Sequence, residues 1–142
     1  MAGYVAVIER DGDGFMVSFP DFPGVFSQGT DLEDAVRHGR DALETALADL
    51  AEFGRCESFP APSKLVPGRD QHWIELPASF SAKLLLVAEM NGQEVSQVEL
   101  ANRLHLAKQE MTRLLDLRHT SKIDTIARAL GKLGKRLELR VR

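Results

Sequence analysis

Lys108, Gln109, Thr112 and Arg113 recur at helical spacing, are all able to donate hydrogen bonds, and include no acid. Lys and Arg suit guanine edges and Gln suits adenine, so the chemistry they offer is recognition of duplex DNA rather than bond breaking. Ser96 and Gln97 fall at the start of the preceding helix, where free N–H groups and the helix dipole favour a phosphate. Arg103, Arg118 and Lys122 would add secondary phosphate contacts. Glu110 counts against this reading, because a carboxylate near the groove repels phosphate unless it finds a cytosine amino group.

Catalytic chemistry has weaker candidates. Asp11, Asp13 and Asp21 are the obvious carboxylates, but Asp11 and Asp13 sit in an Asp-Gly-Asp-Gly string that reads as a hairpin turn. That string lacks the third ligand and terminal Glu of a calcium loop. There is no nucleophile with a local base and no phosphate-cradling glycine loop. His38, His72, His105 and His119 are far apart, and Cys56 is the single cysteine, so no disulfide or Cys-based metal cluster is expected. These residues predict no enzyme, no metal and no cofactor.

The elements that must position Lys108 to Arg113 come next. Leu100, Ala101 and Leu104 point inward from one helix, Leu106 plugs a tight turn, and Met111, Leu114 and Leu115 point inward from the next helix. Small Ala101 lets the two helices cross closely, which is helix-turn-helix logic. Flanking helices are predicted through about Asn91, capped by Ser79 and ended by Gly92, and from Lys122 to Leu133, capped by Ser121 and ended by Gly134. Arg136 to Arg142 alternates Leu137, Leu139 and Val141 against charged residues, a one-sided strand. Four helices offer it no partner strand, so Leu137, Leu139 and Val141 are predicted to pair with a second copy of the chain, making a homodimer and leaving higher assembly open.

The first half reads differently. Tyr4 to Arg10, Phe15 to Phe19 and Val25 to Gln28 read as strands, and His72 to Leu76 as a fourth. Asp31 caps a helix from Leu32 to about Phe53, with Leu32, Val36, Leu43, Leu47 and Leu50 as its apolar stripe, Ala35 and Ala46 filling in, Gly39 on the same stripe where close packing against a sheet would tolerate it, and Gly54 as its stop. The order is β-β-β-α-β: one small antiparallel sheet with one helix across it. One helix covers one face, so the other apolar face is expected to meet a partner. Asp21 and Phe22, at the strand break, are the candidate partner contacts.

A length of 142 residues allows one ordinary domain or two small ones. The net charge of −3 hides a division: residues 1–76 hold 6 Lys and Arg against 14 Asp and Glu, and residues 77–142 hold 12 against 7. An acidic segment followed by a basic one predicts two domains with different partners, at 1–76 and 77–142. The apolar run from Leu84 to Ala88 is too short to span a bilayer, and Met1 to Tyr4 lacks the features of a signal peptide, so a cytoplasmic protein without membrane contact is expected.

These stretches resemble the HicB family of type II antitoxins. The similarity runs through Gly14 to Gly24, Ser27 to Thr30, Leu32 to Ala35 and Asp41 to Leu43 in the first half. In the second it is carried by Lys108 to Leu114 and Thr120 to Asp124, which resemble the subgroup with a helix-turn-helix rather than a ribbon-helix-helix. The resemblance implies an α+β chain: a partial RNase-H-like (HicB-like) domain without catalytic role, then a lambda-repressor-like all-α helix-turn-helix domain with a terminal dimerisation strand. It further implies a small basic HicA-type toxin as partner, a ribonuclease of double-stranded-RNA-binding-like fold that cleaves messenger RNA, and repression at an operator. An acidic first domain suits such a partner by electrostatic steering. Two rival readings are a stand-alone transcription regulator with a ligand-sensing first domain, and an RNA-binding adaptor.

Overall fold

The computed structural model describes residues 3–52, 59–66 and 70–141. Its described residues fall into two compact units: 3–49, 59–66 and 70–76 in one, and 50–52 with 77–141 in the other.

The first unit is built on four antiparallel strands, β1 (Gly3–Asp11), β2 (Gly14–Ser18), β3 (Phe26–Gly29) and β4 (Gln71–Glu75), in the spatial order β3-β2-β1-β4. The β1–β2 turn is Gly12-Asp13, with Gly12 at φ 60 in the position that a type II′ turn reserves for glycine. Helix α1 (Leu32–Glu52) lies on the face carrying Val17 and Ile74. Asp31 caps it as the sequence predicts: its Oδ1 accepts the Asp34 N–H at 2.8 Å. Asp34 in turn accepts the Thr30 N–H at 2.9 Å, a reciprocal cap reaching one residue further back than the usual box.

The stripe that α1 buries keeps Ala35, Gly39, Leu43 and Leu47 of the expected one but loses its first large residues. Leu32 is exposed and Val36 only half-buried, while Ala35, Gly39, Leu43 and Leu47 face inward. The reason is close approach. A Cβ on Gly29 would lie 2.3 Å from the Ala35 amide nitrogen, and one on Gly39 would lie 3.0 Å from Val17 Cγ1. Only small residues fit where the helix touches the sheet, so the larger Leu32 and Val36 are turned outward. Gly54, the expected helix stop, lies outside the described residues.

The second unit contains α2 (Ala78–Gly92), α3 (Gln97–Leu104), α4 (Lys108–Leu115) and α5 (Ile123–Lys132). Leu86 and Met90 of α2, Leu100 and Leu104 of α3, Met111 and Leu114 of α4, and Ile126 and Leu130 of α5 share one core. Two expected caps are absent. Helix α2 starts after Pro77, which takes the N-cap position, leaving the Ser79 hydroxyl buried within the first turn. Pro77 has no side-chain acceptor, so the first N–H groups of α2 go without a side-chain cap. Helix α5 starts after Lys122 rather than Ser121, again with no side-chain cap.

Helices α2, α3 and α5 end the same way, through a left-handed residue: Glu94 (φ 54), His105 (φ 56) and Gly134 (φ 77). In each, the following N–H reaches back to a carbonyl of the last turn: Val95 to Met90, Leu106 to Ala101 and Lys135 to Leu130, at 2.9, 3.0 and 3.0 Å. Gly92 is therefore the last residue of α2, and Glu94 makes its turn. Residues 136–141 form no ladder in the single chain. Leu137 packs on the core, whereas Leu139 is exposed and Val141 is 97% exposed.

Candidate nucleic-acid interface and protein-docking face

Helix α4 carries the polar stripe expected from the sequence. Met111 and Leu114 are buried, which fixes the rotation of the helix and leaves Lys108, Gln109, Thr112 and Arg113 all exposed on its other side. The Thr112 hydroxyl donates to the Lys108 carbonyl at 2.9 Å, so Lys108, Gln109 and Arg113 are the freer donors. His105-Leu106-Ala107 joins α3 to α4, with Leu106 half-buried against the core.

Glu110 has a local explanation that its charge alone did not reveal. Its Oε1 accepts the Ala107 N–H at 3.3 Å, capping the helix that carries it. An acid in the first turn also faces the positive end of the helix dipole. The start of α3 is closed in the same manner. Ser96 Oγ accepts the Glu99 N–H at 3.1 Å and lies 3.4 Å from Glu99 Oε1. Ser96 is thus committed to its own helix, and Gln97 beside it is exposed.

The cations proposed as secondary contacts are only partly available. Arg103 donates to the Lys132 carbonyl at 3.3 Å and lies 3.8 Å from Glu99. Arg118 and Lys122 are exposed and lie within the segment between α4 and α5.

Lys83 and Arg128 escaped the sequence reading. Arg128 donates to the Leu104 carbonyl at 3.0 Å, at the end of α3. Lys83 is wholly buried, 0% exposed, and its ammonium donates to the carbonyls of Arg113 (3.0 Å), Asp116 (2.8 Å) and His119. Burial pushes the Lys83 ammonium below the usual lysine range, and the Asp116 charge opposes this. In sequence, Lys83 stands beside three leucines and looks like a lone surface charge; only the tertiary fold brings three carbonyls to it.

The sheet face turned away from α1 keeps an apolar patch. Strand alternation and register place Met16, Phe26 and Trp73 there, 44%, 62% and 40% exposed. Glu9, Asp11 and Glu75 share that face and are exposed. Trp73 lies where a Cβ of Gly3 would stand, within 2.7 Å of that position, so the glycine admits the indole.

Asp21 and Phe22 are placed differently. Phe22 is 7% exposed and meets the Tyr4 ring edge-on, with centroids 4.8 Å apart. The Asp21 carboxylate accepts the Ser63 N–H at 2.9 Å and the Ser63 hydroxyl at 2.5 Å. Tyr4 donates to the Pro60 carbonyl at 2.8 Å. Burial, with Asp21 nearby, raises the Tyr4 phenol above its usual range. Together these residues fasten the 59–63 segment to the first unit, which leaves the Phe22 side chain little surface to give a partner.

Among the described residues, no group of three His, Cys, Asp or Glu side chains is arranged to hold a metal. No described helix is long and apolar enough to cross a membrane. The fold is mixed α+β, an antiparallel sheet followed by a run of helices, and its exposed features suit docking rather than turnover. Residues 3–85 match the HicB-like antitoxin of bacterial toxin–antitoxin systems. Similar proteins include the antitoxin HicB of Escherichia coli K12, 41% identical over 89% of this chain and 88% of its own length. Antitoxin HicB 2 of Photorhabdus laumondii is 40% identical over 96% and 94%, and antitoxin HicB of Pseudomonas fluorescens is 31% identical over 99% and 94%. The chain belongs to the HicB-like antitoxin family: it is a regulatory protein of a toxin–antitoxin system, and not an enzyme.

Proposed function

We propose that this antitoxin works in the cytoplasm through two surfaces, neutralising a HicA-type messenger-RNA-cleaving toxin with the first unit and repressing its own operon with the second. The observation that carries the DNA arm is the rotation of α4, which buries Met111 and Leu114 and presents Lys108, Gln109, Thr112 and Arg113 as one polar stripe. In this reading α3 and α4 are a helix-turn-helix, and α4 lies in the major groove with Arg113 and Lys108 on guanine edges. Ser96 and Gln97 stand at the phosphate backbone. Leu137, Leu139 and Val141 pair with a second copy, joining two recognition helices for two half-sites; the exposed Leu139 and Val141 support such a contact.

The toxin docks on the sheet face that bears Met16, Phe26 and Trp73. Aromatic residues and Met are enriched in protein interfaces, and Glu9, Asp11 and Glu75 around them suit a basic RNA-binding partner. Asp21 and Phe22 support the sheet from behind its strand break and are not assigned to the contact.

The DNA arm is tested by titrating the full chain with the duplex immediately upstream of its gene. Arg113→Ala should weaken binding by about 1–3 kcal/mol and relax preference at one base position. Unchanged affinity would show that α4 is not the reading helix.

A further inference from the structure

We propose that Lys83 is the positioning residue of the DNA-reading helix, its buried ammonium fixing the end of α4 to α2 and thereby setting where Arg113 points. This rests on the reading of α4 as the recognition helix, but the geometry behind it is independent of that reading.

A lysine ammonium has three donors and no acceptor. Here three carbonyls converge on it, from Arg113, Asp116 and His119, with the first two at 3.0 and 2.8 Å. The last carbonyls of a helix lack intrahelical partners and form the negative end of its dipole. The Arg113 and Asp116 carbonyls also accept the Asp116 and His119 N–H groups at 3.3 and 3.1 Å, so Lys83 adds a second, charged donor to each and ties the end of α4 and the following turn together at one point. A buried charge is tolerated only where its partners are well placed, which makes this site intolerant of drift.

The consequence falls on Arg113. Its carbonyl is held by Lys83, while the residue itself is exposed. Helix α4 has eight residues, too few to hold its own ends in water. Buried Met111 and Leu114 set its rotation, and Lys83 sets how far its helical backbone persists beyond Leu114. The carbonyls cannot be served in the same way by arginine, whose donors lie in a fixed plane.

The test uses the full chain, the duplex upstream of its gene, and the variants Lys83→Met, Arg113→Ala and the double mutant. Lys83→Met should lower DNA affinity by about tenfold or more, with the fluorescence of Trp73 unchanged in the first unit. Arg113→Ala should then cost less than about twofold in the Lys83→Met background, because the arginine is already misplaced. Additive losses, or undiminished affinity in a folded Lys83→Met, overturn the proposal. If Lys83→Met does not fold, the native protein decides. Its 1H–15N spectrum with labelled lysine should contain one ammonium signal protected from water exchange, and Lys83→Gln should remove that signal and weaken DNA binding. No protected signal, or full binding by Lys83→Gln, also overturns it. A native chain that keeps the protected ammonium but ignores the duplex would instead refute the DNA reading of α4.

Discussion

The two units hold their exposed surfaces in place by opposite means. In the first, backbones touch. A Cβ added at Gly3, Gly14 or Gly29 would stand 2.7, 2.6 or 2.3 Å from a backbone atom, and the helix rests on the sheet through Ala35 and Gly39. In the second, Gly92, Gly131 and Gly134 have nothing within 4 Å of such a Cβ. There, long donors reach across to the ends of helices: Lys83 to the end of α4, Arg128 to Leu104, and Gln93 and Arg103 to Leu133 and Lys132. A sheet face gains rigidity from steric closeness, and short helices gain theirs from satisfied carbonyls. The first device tolerates no added volume; the second tolerates no lost donor.

The largest test of that contrast is Gly29→Ala. The added methyl meets the Ala35 backbone, which cannot step aside without moving α1, so the first unit should lose about 3 kcal/mol of stability in urea unfolding followed by Trp73 fluorescence. A loss below half a kcal/mol would break the steric side of the comparison. Next comes Phe26→Asp, on the proposed docking face. It should weaken toxin binding by about 2 kcal/mol in calorimetry while leaving DNA binding intact. A parallel loss of both would mean that the two surfaces are not separate. Smaller still is His105→Gly. A left-handed residue other than glycine is strained, so glycine here should raise stability by about 0.5–1 kcal/mol, read as a higher midpoint in thermal unfolding. The smallest effect concerns Asp34. The Thr30 N–H above all holds its carboxyl below the usual range; desolvation opposes it, and the Arg37 guanidinium and His38 add to the lowering. Its contribution is therefore present at neutral pH and lost as pH falls through that depressed value. Asp34→Asn should lower stability slightly at pH 7 and flatten its acid dependence.

Local chemistry was readable from the chain. Asp11 to Gly14 announced the hairpin, and Asp31 and Ser96 announced two helix starts, because a turn or a cap needs only residues close in sequence. The polar stripe of α4 was readable because Met111 and Leu114 fix its rotation. Ser79 and Ser121 misled for the converse reason: a serine near a helix start is a cap only if the helix begins immediately after it, and Pro77 and Lys122 took those places. Phe22 looked available because a strand break suggests exposure, yet Tyr4 lies across the sheet to cover it. Lys83 had no local signal, since its three partners lie 30 or more residues away.

Glu99 and Glu110 both occupy the first turn of their helices, where a free phosphate would otherwise find open N–H groups. Each helix start has already taken an anion of its own. On the proposed reading, duplex DNA meeting α3 and α4 gains little from the helix dipoles: Ser96 and Gln97 position the backbone as neutral groups, and neutralising its charge is left to lysine and arginine side chains. The ionic-strength dependence of binding becomes a count of those cations through the counterions they displace, with the two helix starts contributing nothing to the slope.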